Sequence, residues 1–242
     1  MRRVPATVAV PKYLQIADDL VQAILHGDLA PGQRAPSENE IIRQYGVSNT
    51  TARKALRDVE QAGWVTRVKG KGTFVRRNQV ERAADKILSF TRNMILAGRA
   101  PATKVLDRRV LRDGFAAAIN GRNYAIRGPV FKIHRLRLAD GVPMMIETRY
   151  ISTAFCPGLD GKDLTGSLYD IYEQDYGLRL TSIDQMLSVE MLGAGVREFF
   201  DLQEPVPALR VDGVTFCGKE MILEIEASVY RGDLYRFAVR AT

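Results

Sequence analysis

Apolar residues in the first third of the chain recur at helical spacing and then change rhythm. Tyr13, Ile16, Leu20, Ile24 and Leu25 fall on one face of a helix, and Gly27 stands where a C-terminal cap is expected. Ala30-Pro31-Gly32 interrupts the chain. Ser37 and Glu40 then form a capping box, in which each side chain satisfies a backbone N–H that the first helical turn leaves orphaned. A second helix carrying Ile41, Ile42 and Tyr45 starts there and ends at Gly46. Ser48 caps a third, running to about Ala62, with Ala52, Ala55, Leu56, Val59 and Ala62 on its apolar face. From Trp64 the period shortens: Trp64 to Val68 and Thr73 to Arg76 read as strands joined by Lys69-Gly70-Lys71-Gly72.

Two helices a few residues apart, followed by a basic hairpin, spell a winged helix-turn-helix, so the chain is expected to bind double-stranded DNA. The polar face of the third helix can enter a major groove. Its early residues are the expected base contacts, namely Ser48, Asn49, Thr51 and Arg53, with Thr50 and Lys54 beside them on the DNA-facing side and Arg57 placed for a phosphate. In the wing, Gly70 permits a tight turn and close backbone approach, while Lys69 and Lys71 add sequence-independent attraction. Gly-Lys-Gly-Thr lacks the first glycine and following helix of a nucleotide-binding loop, which removes an ATPase reading.

Charge sharpens this division. Residues 1 to 77 hold 13 Lys+Arg against 7 Asp+Glu, and the rest hold 22 against 21, so the positive excess sits in the motif-bearing third. A DNA-binding domain over 1–76, a linker over 77–86 and a second, nearly neutral domain over 87–242 are expected. No apolar run approaches a membrane span and no secretory leader is seen, which predicts a cytoplasmic protein. Asn49-Thr50-Thr51 therefore matches a glycosylation acceptor by chance. Cys156 and Cys217 are isolated and expected to be buried, and with only His26 and His134 no metal site or cofactor is expected.

The second domain reads as strands around a few helices. Val130 to Leu138 and Met144 to Ile151 flank Asp140-Gly141, a strong hairpin signal. Further strands are expected at Ser182 to Leu192, Ala208 to Phe216, Met221 to Tyr230 and Tyr235 to Val239, with helices at Leu168 to Tyr176 and Ala194 to Leu202. This is an α+β module: an antiparallel sheet with helices on one side. Arg135 and Arg137 alternate on an otherwise apolar strand and so share a face. They either await an anionic ligand, which their forked donors suit, or pair with carboxylates such as Glu147 or Glu224.

Over essentially its whole length the chain resembles GntR-type bacterial transcription regulators of the HutC-like subfamily. The carrying residues are Tyr13-Leu14-Gln15-Ile16, Pro36-Ser37-Glu38, Gly46-Val47-Ser48, Arg53-Lys54-Ala55-Leu56, Gly63-Trp64 and Gly70-Lys71-Gly72-Thr73-Phe74-Val75 in the first domain. In the second they are Leu88-Ser89-Phe90-Thr91, Arg135-Leu136-Arg137-Leu138, Ser167-Leu168-Tyr169 and Ser228-Val229-Tyr230-Arg231-Gly232-Asp233. The resemblance implies a chorismate-lyase-like (UTRA) effector domain, a homodimer, and a small anionic metabolite as effector, a sugar phosphate being favoured. It assigns effector contacts to Phe90, Thr91, Arg135, Arg137, Glu147, Ser167, Tyr169, Glu224 and Tyr230, with Ser89 second in rank. In relatives that bind amino-sugar phosphates the arginines and the Ser-x-Tyr segment hold the phosphate, and the glutamates hold the sugar. Gly166 replaces a serine found in some of them.

Three points stay open. A two-residue Asp140-Gly141 loop puts Glu147 opposite His134, and a three-residue loop puts it opposite Arg135, as the resemblance favours. Asn39 and Asn49 stand where many relatives have arginine; asparagine matches adenine better than guanine, so altered operator bases are expected there. Repression by operator occupancy, relieved by the effector, is the expected mechanism. Activation, an enzyme using Arg135, Arg137 and Glu147, or an effector-free architectural protein are the alternatives.

Overall fold

The computed structural model describes residues 10–25, 28–76, 80–83 and 87–239, so the cap expected at Gly27 lies outside the described residues. The chain divides into two compact units, residues 1–78 and 79–242.

In the first unit, α1 (Lys12–Leu25), α2 (Glu38–Tyr45) and α3 (Asn49–Gln61) precede a hairpin of β1 (Val65–Val68) and β2 (Gly72–Val75). The capping box is formed. Glu40 N donates to Ser37 Oγ at 3.3 Å, and Ser37 N to Glu40 Oε2 at 2.7 Å. Gly46, at φ 63°, closes α2 in the left-handed conformation that glycine adopts without penalty. Ser48 then caps α3 through the N–H of Thr51. Ile16, Leu20, Ile41, Ala52, Ala55, Leu56, Val59 and Trp64 meet in the core, which locks α3 with its polar face outward.

The wing has a third member that the sequence did not announce. Ala35 N donates to Thr73 O and Val75 N to Gln33 O, both at 2.9 Å, so the segment before α2 pairs with β2. Gly72, at φ 119°, holds a backbone conformation that L side chains rarely adopt, and the Arg34 side chain lies against it, with Nε 2.9 Å from where a Cβ would stand.

The second unit is built on an antiparallel six-stranded sheet. Its strands run in the order β4 (Pro101–Leu111), β7 (Val130–Ala139), β8 (Val142–Ser152), β11 (Ile222–Arg231), β10 (Pro207–Phe216), β9 (Ser182–Met191). A separate hairpin joins β5 (Phe115–Ile119) to β6 (Arg122–Ile126), α4 spans Phe90–Leu96, and α5 spans Leu168–Tyr176. The sheet is covered on both faces rather than by helices on one side. Phe131, Ile133 and Ile151 pack with Leu168 and Tyr172 of α5, while Leu136, Leu138 and Ile146 on the opposite face pack with Phe200 and Leu202. The expected helix at 194–202 is only α6 (Ala194–Arg197) and a 3-10 turn, with Asp201 left-handed at φ 53°.

One linker expectation is corrected. Val80–Ala83, inside the predicted 77–86 linker, forms β3 and pairs in parallel with β12 (Tyr235–Ala238). Its partner lies at the far end of the chain, and a pairing of that range leaves no local signal. The cysteine expectation is half right: Cys156 is buried, which pushes its thiol up to about 12, but Cys217 is only partly covered. No helix of the described residues is long and apolar enough to cross a membrane.

Candidate DNA interface and buried arginine site

On the first unit, Asn39, Asn49, Thr50, Arg53, Lys54, Arg57, Lys69, Gly70 and Lys71 are all exposed. Three of the expected contacts carry structural duties as well. The Ser48 and Thr51 hydroxyls lie 2.9 Å apart at the helix cap, so what they offer DNA is shared with that cap. Lys54 lays its ammonium over the Tyr13 ring, 3.5 Å from the centroid, tying α3 to α1. Glu38, absent from the expected set, holds both Arg53 (Nε to Oε2, 3.3 Å) and Arg67 of the wing (Nη2 to Oε1, 3.2 Å). One carboxylate on α2 thus sets two guanidiniums on different elements.

In the second unit the turn question is settled by a route that neither alternative named. Asp140 and Gly141, at φ 52° and 82°, form the two-residue loop, and Ala139 pairs with Val142. A bulge then shifts the register between Arg137 and Leu138, so Glu147 still lies opposite Arg135. The extra residue sits in the strand, not in the loop.

That register assembles a polar row on one face of the sheet. Arg135 is opposite Glu147, Glu147 opposite Ser228, and Arg149 opposite Glu226. Glu147 Oε1 accepts from Arg135 Nη2 at 2.5 Å and Arg137 Nη1 at 3.2 Å, and its Oε2 accepts from Arg149 Nε at 2.9 Å. Arg149 also reaches Glu224, and its Nη2 lies 2.8 Å from Glu226 Oε2. Arg135 Nη1 donates to the carbonyls of Leu164 and Gly166, both at 3.1 Å, just ahead of the Ser167 cap of α5. The residue that replaces a serine of some relatives therefore contributes its backbone here. Arg137 Nη2 donates to Thr91 at 2.7 Å and stacks on Phe90, 4.9 Å from the ring centroid.

The site residues expected from sequence are thus brought together, but the paired arginines are not free. Their own Glu147 bridges them. Ser167 caps α5, and Ser89 caps α4. Tyr169 places its ring 5.8 Å from the Arg149 guanidinium, and its buried hydroxyl has no hydrogen-bond partner. It also lines an open cleft of about 420 Å³ with Ser89, Arg92, Asp170, Glu173 and Arg179. Tyr230 accepts from Arg82 Nη1 of β3 at 2.8 Å.

Sequence reasoning missed Arg149, Glu226, Arg82 and Tyr172. The first two carried a usable signal: Glu147-x-Arg149 and Glu224-x-Glu226 alternate on apolar strands just as Arg135-x-Arg137 does. Gly213 supports the arrangement, because a Cβ there would lie 2.9 Å from Glu226 Oε1 and 3.0 Å from Gln185 Cγ. Its bareness lets Gln185 donate to Glu226 at 2.6 Å.

Electrostatically the cluster is cationic. Arg82, Arg135, Arg137 and Arg149 face Glu147, Glu224 and Glu226, and none of the seven is more than 6% exposed. Burial opposes the Glu147 charge, but Arg135, Arg149 and Arg137 together outweigh it and hold its carboxyl far below the usual range. Burial pushes Glu224 up; Arg149 draws part of that rise back, and Glu226 adds a smaller increment to it. Arg137 is pulled by burial down to about 10, and Glu147 restores only part of that loss. It remains a cation at neutral pH.

A winged helix-turn-helix joined to an α+β module with a buried guanidinium cluster defines a DNA-binding regulator with a sensing domain. A family described as bacterial regulatory proteins, gntR family, matches residues 12–75, and the UTRA domain matches residues 96–236. The chain belongs to the GntR family, in the UTRA-bearing branch to which HutC-like regulators belong. It is 31% identical over 229 residues to the HTH-type transcriptional repressor NagR of Bacillus subtilis (strain 168), covering 94% of this chain and 93% of that one. The HTH-type transcriptional regulator GgaR of Escherichia coli (strain K12) is 28% identical over 239 residues, covering 97% and 93%. Among solved structures, PhnF from Mycobacterium smegmatis superposes with a TM-score of 0.62 at 23% identity, over 94% of this chain and 99% of that one, and shares the fold. Membership in this family removes the enzyme reading of the second unit.

Proposed function

We propose that this protein is a transcriptional repressor whose homodimer releases operator DNA when a small anionic metabolite, a sugar phosphate being the favoured class, binds at the Arg135–Arg137 cluster. The buried excess of cationic charge carries the reading. Four guanidiniums against three carboxylates, out of water, are stabilised by an added anion that can accept from Arg137, Thr91 and the Ser167–Tyr169 segment. Three relatives, NagR, GgaR and a probable fructoselysine utilization operon repressor of Escherichia coli (strain K12), are regulators, two of them named as repressors, which supports the direction of control. The proposed DNA contacts are Asn39, Ser48, Asn49, Thr50, Thr51, Arg53, Lys54, Arg57, Lys69, Gly70 and Lys71, to which the geometry adds Arg67. Adenine is the proposed partner of Asn39 and Asn49. The effector can act only through unequal affinity for the DNA-competent and DNA-incompetent arrangements.

A thermal-shift screen of sugar phosphates tests the sensor. A true effector at a hundredfold excess over its Kd is expected to stabilise the wild type by about 2.7 kcal/mol, to leave Arg137→Ala unshifted, and to weaken operator binding in a gel-shift titration. Bridging of Arg135 and Arg137 by Glu147 favours a second reading, in which the cluster is purely structural and the protein binds DNA without an effector. Absence of any anion-induced shift would establish that alternative.

The dimer has a preferred edge in this reading. Of the two outer strands, β4 carries Lys104, Asp107, Arg108 and Arg109, the charges that discourage edge pairing. On β9, Met186, Leu187, Val189 and Met191 are exposed, Val189 at 73%. Antiparallel pairing of two β9 edges about a twofold axis would cover this strip. Val189→Lys with Met191→Lys is expected to turn a dimer into a monomer by light scattering on a sizing column, and an unchanged mass places the interface elsewhere.

A further inference from the structure

Glu147 and Glu224, the carboxylates that the resemblance gives to an effector's sugar, are already taken. Glu147 accepts from Arg135, Arg137 and Arg149. Glu224 accepts from Arg149, from Thr215 at 3.3 Å and from Tyr172 at 2.6 Å. Glu226 accepts from Gln185 and Ser228, with Arg149 Nη2 beside it. A carboxylate offers about four lone-pair sites, so each of the three has roughly one in reserve and a guanidinium already against it. What the site has unengaged is mostly donor capacity: Arg135 Nε, Arg137 Nε and the Tyr169 hydroxyl are buried without partners. Among the described residues, Arg149 is the one guanidinium that touches all three carboxylates.

We propose that Arg149 determines effector specificity. By occupying Glu147, Glu224 and Glu226 it bars a protonated amino group and commits the site to an effector bearing only acceptors and negative charge, an anionic ester or acid whose buried end carries hydroxyls or carbonyls. An ammonium would enter beside a buried cation of its own sign and find each carboxylate shielded. This rests on the reading of the cluster as the effector site.

Calorimetry and thermal shift on the full chain with matched probes test it: glucose 6-phosphate against glucosamine 6-phosphate, 2-hydroxyethyl phosphate against phosphoethanolamine, and inorganic phosphate as reference. The hydroxyl member of a pair is expected to bind at least about tenfold tighter, the discrimination of one disfavoured charge contact. Equal or tighter binding of the ammonium member overturns the proposal, and so does binding of inorganic phosphate with none of the esters; in either case loss of binding in Arg137→Ala leaves the anion-sensing reading standing. If neither phosphate nor any ester shifts the melting temperature, that reading fails and the proposal with it. Arg149→Gln combined with Glu226→Gln removes one charge of each sign and is expected to erase the preference. Should that pair not fold, Arg149→Lys, a point charge that cannot grip three carboxylates, is expected to narrow it. A preference unchanged in the folded variant refutes the role of Arg149.

Discussion

Arg149→Ala is expected to destabilise the second unit by about 3–5 kcal/mol, the cost of removing one partner from a buried ion-pair network. For a domain of this size that is a fall of about 6–20 °C in melting temperature. The loss exceeds that of an ordinary core truncation because of what stays behind. Glu147 keeps Arg135 and Arg137, but Glu224 retains only Tyr172 and Thr215, and Glu226 only Gln185 and Ser228. Among the described residues, two buried carboxylates then have no guanidinium within hydrogen-bond reach, Arg82 acting on Glu226 only from a distance.

The pH dependence of the same variant identifies the cause. Glu224 already has its pKa raised in the wild type, and losing Arg149 raises it further. A carboxyl raised above its unfolded value contributes stability that is full below that value and is lost as pH rises through the folded one. Arg149→Ala should therefore be more stable at pH 5 than at pH 7. Glu147 works with the opposite sign. Its folded pKa is depressed, so its contribution is present above the ordinary carboxylate range and is lost as pH falls through and below it. Between pH 7 and 5 it is constant. Thermal melts of both proteins at the two pH values check this, and a variant that loses stability on acidification would show that Glu224 and Glu226 had found other cations.

What could be read from sequence divides along the range of the interactions involved. The caps at Ser37, Gly46 and Ser48 and the α3 face are set within a few residues, and they appear where the pattern puts them. Arg135 and Arg137 share a face because a strand has period two, again a local fact. Glu147 was harder, since its position depends on a bulge near Pro143 that shifts the register by one residue. Arg149, Glu226 and Tyr172 meet only because β8, β11 and α5 converge, and β3 is a strand only because β12 lies beside it. The β4 strand escaped notice for a chemical reason. As an outer strand it exposes charged residues where an inner strand would show an apolar run, and so it lacks the apolar signal that marks the inner strands.

On the DNA side, Arg53→Ala is expected to weaken operator binding by about 1–3 kcal/mol, roughly 5- to 150-fold, and to relax preference at one base position of each half-site. The fold should not suffer. Arg53 is half exposed, and a surface pair such as Arg53–Glu38 is worth about 0–1 kcal/mol, so the melting temperature should move little. Loss of affinity without loss of stability assigns the residue to readout rather than to architecture. Lys69→Ala and Lys71→Ala should behave differently, weakening all duplexes alike and each lowering the salt dependence of binding by about one counterion. Glu38→Gln separates positioning from contact. It removes the negative charge that holds Arg53 and Arg67 while leaving both guanidiniums in place. If Glu38 sets their aim, discrimination between operator and random duplex falls while nonspecific affinity rises, because one negative charge near the phosphates has gone. If both affinities rise together, the carboxylate is only a repulsive charge and Arg53 finds its base unaided.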